Sequence, residues 1–168
     1  MLARAMPQFE TNFFQSVELH SADEMAALGA RVAARLRPGD TVTLAGPLGA
    51  GKTVFARGLI RHFLPGEEVP SPTFTLVQTY ETGNFAISHV DLYRLKGPKD
   101  VRELGLDEAL ERGALLIEWP DRMGPELPAD RLDIVIEGGG EEGERDDERT
   151  VKIIARGAWV PRVGDLSA

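Results

Sequence analysis

The 168-residue sequence contains no cysteine, which excludes disulfides, thiolate zinc sites and cysteine nucleophiles. It also lacks any apolar run approaching the ~20 residues that a membrane-spanning helix requires. The opening MLARAMPQFETNFF carries one Arg and no apolar stretch of signal-peptide length, so the expectation is a cytoplasmic chain without membrane contact. Basic charge is scarce: 19 Lys and Arg stand against 27 Asp and Glu, and the net charge of -8 opposes any broad grip on phosphate backbones. A link to nucleic acid is therefore expected to be indirect. Much of the acidity lies in EEGERDDER, from Glu141 to Arg149, which reads as a solvated loop with no function of its own.

What the chain does have is enough apolar content, 42%, to bury a core at the size of one domain. The expectation is a single domain over residues 1–168, with its core over about 13–156 and a weakly structured tail over 157–168. Ser21 followed by Glu24 is a capping-box pattern, and Met25, Leu28, Val32 and Leu36 recur at helical spacing until Pro38-Gly39. FFQSVELH before that helix predicts a short strand, and Thr41 to Ala45 predicts another, entering a glycine-rich turn. From Lys52 to about Phe63, Phe55, Leu59, Ile60 and Phe63 gather on one helical face. Strands are predicted over Thr73 to Tyr80, over Phe85 to Val90 ending on Asp91, and over Ala114 to Ile117 ending on Glu118. Pro98 to Arg112 reads as helix interrupted near Gly105, and Arg131 to Glu137 with Thr150 to Ala155 as a hairpin.

Gly46 to Thr53 reads GPLGAGKT, a GxxxxGK[ST] pattern between a strand and a helix. Glycine at Gly46, Gly49 and Gly51 lets backbone N–H groups converge on phosphate oxygens without a Cβ in the way. The helix beginning near Lys52 presents free amides and the positive end of its dipole to the same anion. The pattern places Lys52 for the β- and γ-phosphates of a nucleotide and the Thr53 hydroxyl for Mg²⁺. Leu48, Ala50 and Val54 complete the candidate contact set. Pro47 lacks an N–H, but the amides that hold phosphate come later in the loop.

An acidic residue at the carboxyl end of a strand after such a loop holds Mg²⁺ or orients the attacking water, and Asp91 and Glu118 both qualify. Ligands of open α/β sheets collect at those strand ends. Ser71-Pro72-Thr73-Phe74-Thr75 reads either as a mobile segment sensing the γ-phosphate through Thr73 or as a proline-set turn, and the two are compatible. His89, two residues before Asp91 on the same strand face, reads as structural and is set aside from the site. Trp119 is open between core aromatic and partner contact.

GPLGAGKT, SPTFTLVQTY, HVDLYRL, ELGLDEAL and LLIEWPDR follow one another from about Ser21 to Glu137. Together they resemble the TsaE (YjeE) family, the ATPase of the bacterial pathway that makes threonylcarbamoyladenosine on tRNA. The resemblance implies a Mg²⁺-dependent ATPase, slow alone, that works with TsaD and TsaB, meets tRNA through their complex and does not itself transfer the threonylcarbamoyl group. It implies Lys52 on the ATP phosphates, Thr53 and Glu118 around Mg²⁺, Asp91 nearest the hydrolytic chemistry and Thr73 in a switch-like segment. Trp119 matches the family tryptophan. Pro47 stands where the family commonly has Asp, and Val54 where it often has Thr. The fold expected is a three-layer P-loop α/β domain, its sheet parallel around the loop and antiparallel at the carboxyl-terminal strands. A small-molecule kinase and a non-hydrolysing nucleotide sensor are the alternatives, the first weakened because Arg102, Arg112 and Arg122 are scattered.

Overall fold

The computed structural model describes residues 12–138 and 147–167, so most of the acidic loop read from Glu141 to Arg149 lies outside the described residues. Seven strands form one mixed sheet: β1 (Phe13–Leu19), β2 (Thr41–Ala45), β3 (Val77–Glu81), β4 (Ala86–Asp91), β5 (Gly113–Glu118), β6 (Arg131–Glu137) and β7 (Arg149–Arg156). Their order across the sheet is β1-β7-β6-β2-β5-β4-β3. The inner block β6-β2-β5-β4 is parallel, while β1, β7 and β3 join antiparallel at the flanks. The expected β6–β7 hairpin is present, and the amino-terminal β1 continues it.

Helices cover both faces, which is why β4 and β5 are buried along their whole length and β5 reads as a nearly continuous apolar run. On one face lie α1 (Ala22–Ala33) and α2 (Lys52–Phe63), with Leu28, Val32, Phe55 and Leu59 in the larger core. On the other lie α3 (Pro98–Arg102) and α4 (Leu106–Arg112), enclosing Val90, Leu92, Val101, Leu106 and Ile117. The Ser21 hydroxyl accepts from the Glu24 amide at 3.1 Å, and Glu24 reaches back to the His20 N–H at 2.5 Å, one residue earlier than a standard capping box. Gly105 separates α3 from α4 at φ 70°, where the sequence places the interruption.

Two expectations need correction. The segment expected as a strand from Thr73 is a turn up to Leu76, whose N–H bonds the Pro72 carbonyl at 2.8 Å and whose φ is 65°; pairing with β4 begins only at Val77. The tail from Gly157 is not weakly structured either. Trp159, Val163 and Leu166 are buried in the larger core, spaced so that one apolar anchor falls every three or four residues. Side chains stand in for the missing backbone ladder: Gln15 bonds the Gly164 carbonyl and the Leu166 N–H, Arg31 bonds the Leu166 carbonyl, and Arg162 pairs with Asp40.

The sheet positions the site. Parallel strands end on the same side, so Ala45 at the end of β2, Asp91 at the end of β4 and Glu118 at the end of β5 come together; Asp91 and Glu118 are register partners, and so are Leu44 and Glu118.

Candidate functional site

The loop after β2 wraps the start of α2. Gly46 has φ 155°, and a Cβ there would lie 2.8 Å from the Ile136 carbonyl oxygen, so the chain can leave the sheet only as glycine. Gly51, at φ 113°, is the residue before α2 and supplies no side-chain cap, leaving the first-turn amides of the helix without a side-chain acceptor. From the far side of the sheet, Arg149 of β7 braces the loop, its Nε donating to the Ala50 carbonyl at 3.0 Å. Nothing in the local sequence points to that brace, which lies 99 residues away.

Lys52 is buried at 6% exposure, unusual for an ammonium unless it is paired. Its Nζ donates to the Gly46 carbonyl at 2.5 Å and the Pro47 carbonyl at 3.0 Å, and sits 4.2 Å from the centre of the Trp119 ring. Burial holds this ammonium below its ordinary pKa, against the opposing pull of Glu118 and then Asp91. Trp119 takes its place through a left-handed backbone at φ 61°, its ring also tilted against Tyr93 at 4.9 Å. Of the two readings left open for it, the core one finds support, since it packs against the second core; it also lines the cleft.

The two carboxylates are buried beside one another but held differently. Asp91 accepts the Tyr93 N–H on Oδ1 at 2.9 Å and the Thr73 hydroxyl on Oδ2 at 3.3 Å. Thr73 is in turn 2.8 Å from Ser71 Oγ, so the Ser71–Thr75 turn is tied to the end of β4. Glu118 meets His89 instead, with Nε2 2.7 Å from Oε2 and both residues at or below 3% exposure. His89, set aside on sequence, thus touches a site residue; its period-two spacing from Asp91 is the signal, and only the strand register supplies the partner.

A cleft of about 340 Å³ gathers Leu48 to Val54, Thr73, Asp91 and Glu118, together with Ser71, Tyr93 and Trp119. Every residue of the expected contact set except Gly46 lines it, and Gly46 touches it through Lys52 Nζ. A smaller recess of about 120 Å³ shares Gly49, Ala50, Gly51 and Val54 but reaches Ser21, Met25 and Arg149 instead of the carboxylates. Among the described residues no group of three or more His, Cys, Asp or Glu is arranged to hold a metal ion. That is compatible with Mg²⁺, which is typically held by one or two carboxylates plus substrate phosphates and water.

The chain is thus a mixed α/β protein in which a glycine loop on a helix N-terminus, a setting that favours anions, lies beside a buried lysine and two strand-end carboxylates. The family model described as "Threonylcarbamoyl adenosine biosynthesis protein TsaE" matches residues 19–149, and the chain belongs to that family. It is 39% identical to the tRNA threonylcarbamoyladenosine biosynthesis protein TsaE of Bacillus subtilis over 80% of this chain and 82% of that protein. The protein of the same name from Rickettsia felis is 50% identical over 105 residues, 61% of each chain, so the match spans about three-fifths of that relative's length. A crystal structure of Bacillus subtilis YdiB superimposes with a TM-score of 0.73 at 31% identity, covering 90% of this chain and 92% of that one. No helix among the described residues is long and apolar enough to cross a membrane.

Proposed function

We propose that this chain is a P-loop ATPase of the cytoplasm that binds MgATP in the cleft and hydrolyses it slowly, as the nucleotide-driven partner of TsaD and TsaB in making threonylcarbamoyladenosine on tRNA. What supports the nucleotide reading above all is the convergence of Lys52, Asp91 and Glu118 on one wall of the glycine loop. The loop amides from Gly49 to Thr53 bind the phosphates, and Lys52 exchanges its two carbonyl partners for phosphate oxygens. Thr53 and Glu118 are the residues that would hold Mg²⁺, which when bound supplies charge neutralisation at the β- and γ-phosphates. Asp91, oriented by the Tyr93 N–H and the Thr73 hydroxyl, positions the attacking water. Through that hydroxyl the Ser71–Thr75 turn reports on the γ-phosphate side of the cleft. The base fits the smaller recess, where apolar Met25 and Val54 face polar Ser21 and Arg149.

The partner reading is supported by the rim. Leu48 and Phe74 are exposed at 66% and 80%; Leu48 and Tyr93 line the cleft from two loops, and Phe74 follows Thr73, which lines it from a third. A protein seated on that rim would feel which nucleotide lies beneath it. With tRNA reached only through the complex, the net charge of -8 poses no obstacle.

The test is phosphate release from MgATP by the purified protein, alone and with TsaD and TsaB, beside Lys52→Ala and Glu118→Ala. Activity that rises with the partners and falls roughly 100-fold or more in each variant supports the proposal. ATP binding without phosphate release in any mixture replaces it with a nucleotide-dependent sensor, and a phosphorylated small molecule in place of free phosphate replaces it with a kinase.

A further inference from the structure

The His89–Glu118 pair has a chemical asymmetry. His89 is fully buried on β4, and its Nδ1 has no hydrogen-bond partner, while Nε2 lies 2.7 Å from Glu118 Oε2. A buried N–H without an acceptor costs about 1–3 kcal/mol, so a proton is favoured on Nε2, where a carboxylate oxygen receives it, over Nδ1, where nothing does. A lone pair on Nδ1 is cheaper to leave unmet than an N–H. Glu118 is consequently held by one oxygen only. Oε1 makes no hydrogen bond to any described residue, and Glu118 lines the cleft that also contains Thr53.

We infer that His89 is a positioning residue: its Nε2–H fixes Glu118 Oε2 and thereby presents Oε1 to a divalent cation in the cleft. Its ring also sets Glu118 against Asp91, because His89 and Asp91 are two residues apart on one strand while Asp91 and Glu118 are register partners. A merely structural histidine would fill volume at this point, and leucine would fill it as well. The inference rests on the MgATP reading above, and it concerns cation affinity rather than phosphate binding.

Mn²⁺ serves as the probe, with free ion counted by electron paramagnetic resonance in the presence of ADP, for wild type, His89→Leu and His89→Gln. Loss of a group that orients a ligating carboxylate weakens metal binding by about 10–100-fold. The Leu variant is expected to show that loss while its affinity for ADP in EDTA is unchanged, and the Gln variant, whose amide N–H can reach the same oxygen, to recover most of it. Equal Mn²⁺ affinity in wild type and the Leu variant overturns the inference and leaves the nucleotide reading standing. Wild type that binds no Mn²⁺ with ADP present overturns both. Nitrogen-15 spectra of the wild-type ring decide the matter independently of how the Leu variant folds: a proton on Nε2 supports the inference, and an Nε2 without one overturns it.

Discussion

At the scale of single residues, Lys52 and Trp119 form the most informative contact. A cation over an indole face contributes about 0.5–2 kcal/mol depending on how dry it is, and here the ammonium is also bound to two loop carbonyls. A ligand that draws Nζ away from the ring changes the surroundings of Trp119. The sequence has two tryptophans, and the other, Trp159, is fully buried in the opposite core. Intrinsic fluorescence should therefore change on adding MgADP in wild type and in Trp159→Phe, and the change should vanish in Trp119→Phe. Persistence of the signal in the Trp119 variant would show that it arises at Trp159 and would overturn the prediction.

Tyr80 offers a residue-scale test of the packing. Burial, reinforced by the nearby charge of Glu67, raises its phenol above the ordinary value of 10.0. The unfolded chain then releases that proton first, so this group leaves stability untouched below pH 10.0 and removes it as pH rises from there through the folded value. Denaturation midpoints taken across the alkaline range should fall less steeply for Tyr80→Phe than for wild type.

At the scale of elements, α1 and α2 approach through glycine. A Cβ on Gly58 would collide with the Ala26 backbone carbonyl, and a collision with backbone cannot be relieved by turning a side chain. Gly58→Ala, favourable for an isolated helix, is expected instead to destabilise the protein by about 1–3 kcal/mol, read as a lowered urea midpoint. The closing segment carries a second test. Trp159→Ala empties a fully buried site and should cost about 3–5 kcal/mol by the same measurement, whereas a loose tail would give nothing.

These elements also show what the sequence could and could not disclose. The glycine loop, both carboxylates and most strand and helix positions were legible, because each depends on residues close together in the chain. The turn at Pro72–Leu76 was legible only in part: the prolines marked a turn, but β-favouring residues placed the strand as early as Thr73, and one left-handed leucine overrides them. The tail was misread because its three anchors fall in a short segment with only one brief helical turn and its backbone is satisfied by distant side chains. The His89–Glu118 contact spans 29 residues and depends on two strands lying side by side in one register.

For the molecule as a whole, a ligand that binds only the folded chain adds RT ln(1 + [L]/Kd), about 2.7 kcal/mol at 100 times Kd. MgATP should raise the melting temperature of wild type by an amount that grows with concentration. Lys52→Ala should shift little at the same concentrations, and chelating Mg²⁺ should shrink the wild-type shift without abolishing it. A shift equal in wild type and the Lys52 variant would place the nucleotide elsewhere.

The strand order carries a consequence for how the chain comes off the ribosome. β2, which leads into the glycine loop, lies between β5 and β6, and β1 pairs with β7. A nascent chain therefore displays its phosphate loop some seventy residues before either neighbour of β2 has been made, and β1 waits for β7 across more than a hundred. Until then only the α1–α2 pair and the β3–β4 hairpin have their partners at hand. The inner strands β2 and β4, which flank the place of β5, and the edge strand β1 must be held back from wrong pairings while the rest is translated, so folding is closed by the late strands, and chaperone dependence should concentrate on chains stalled before residue 113.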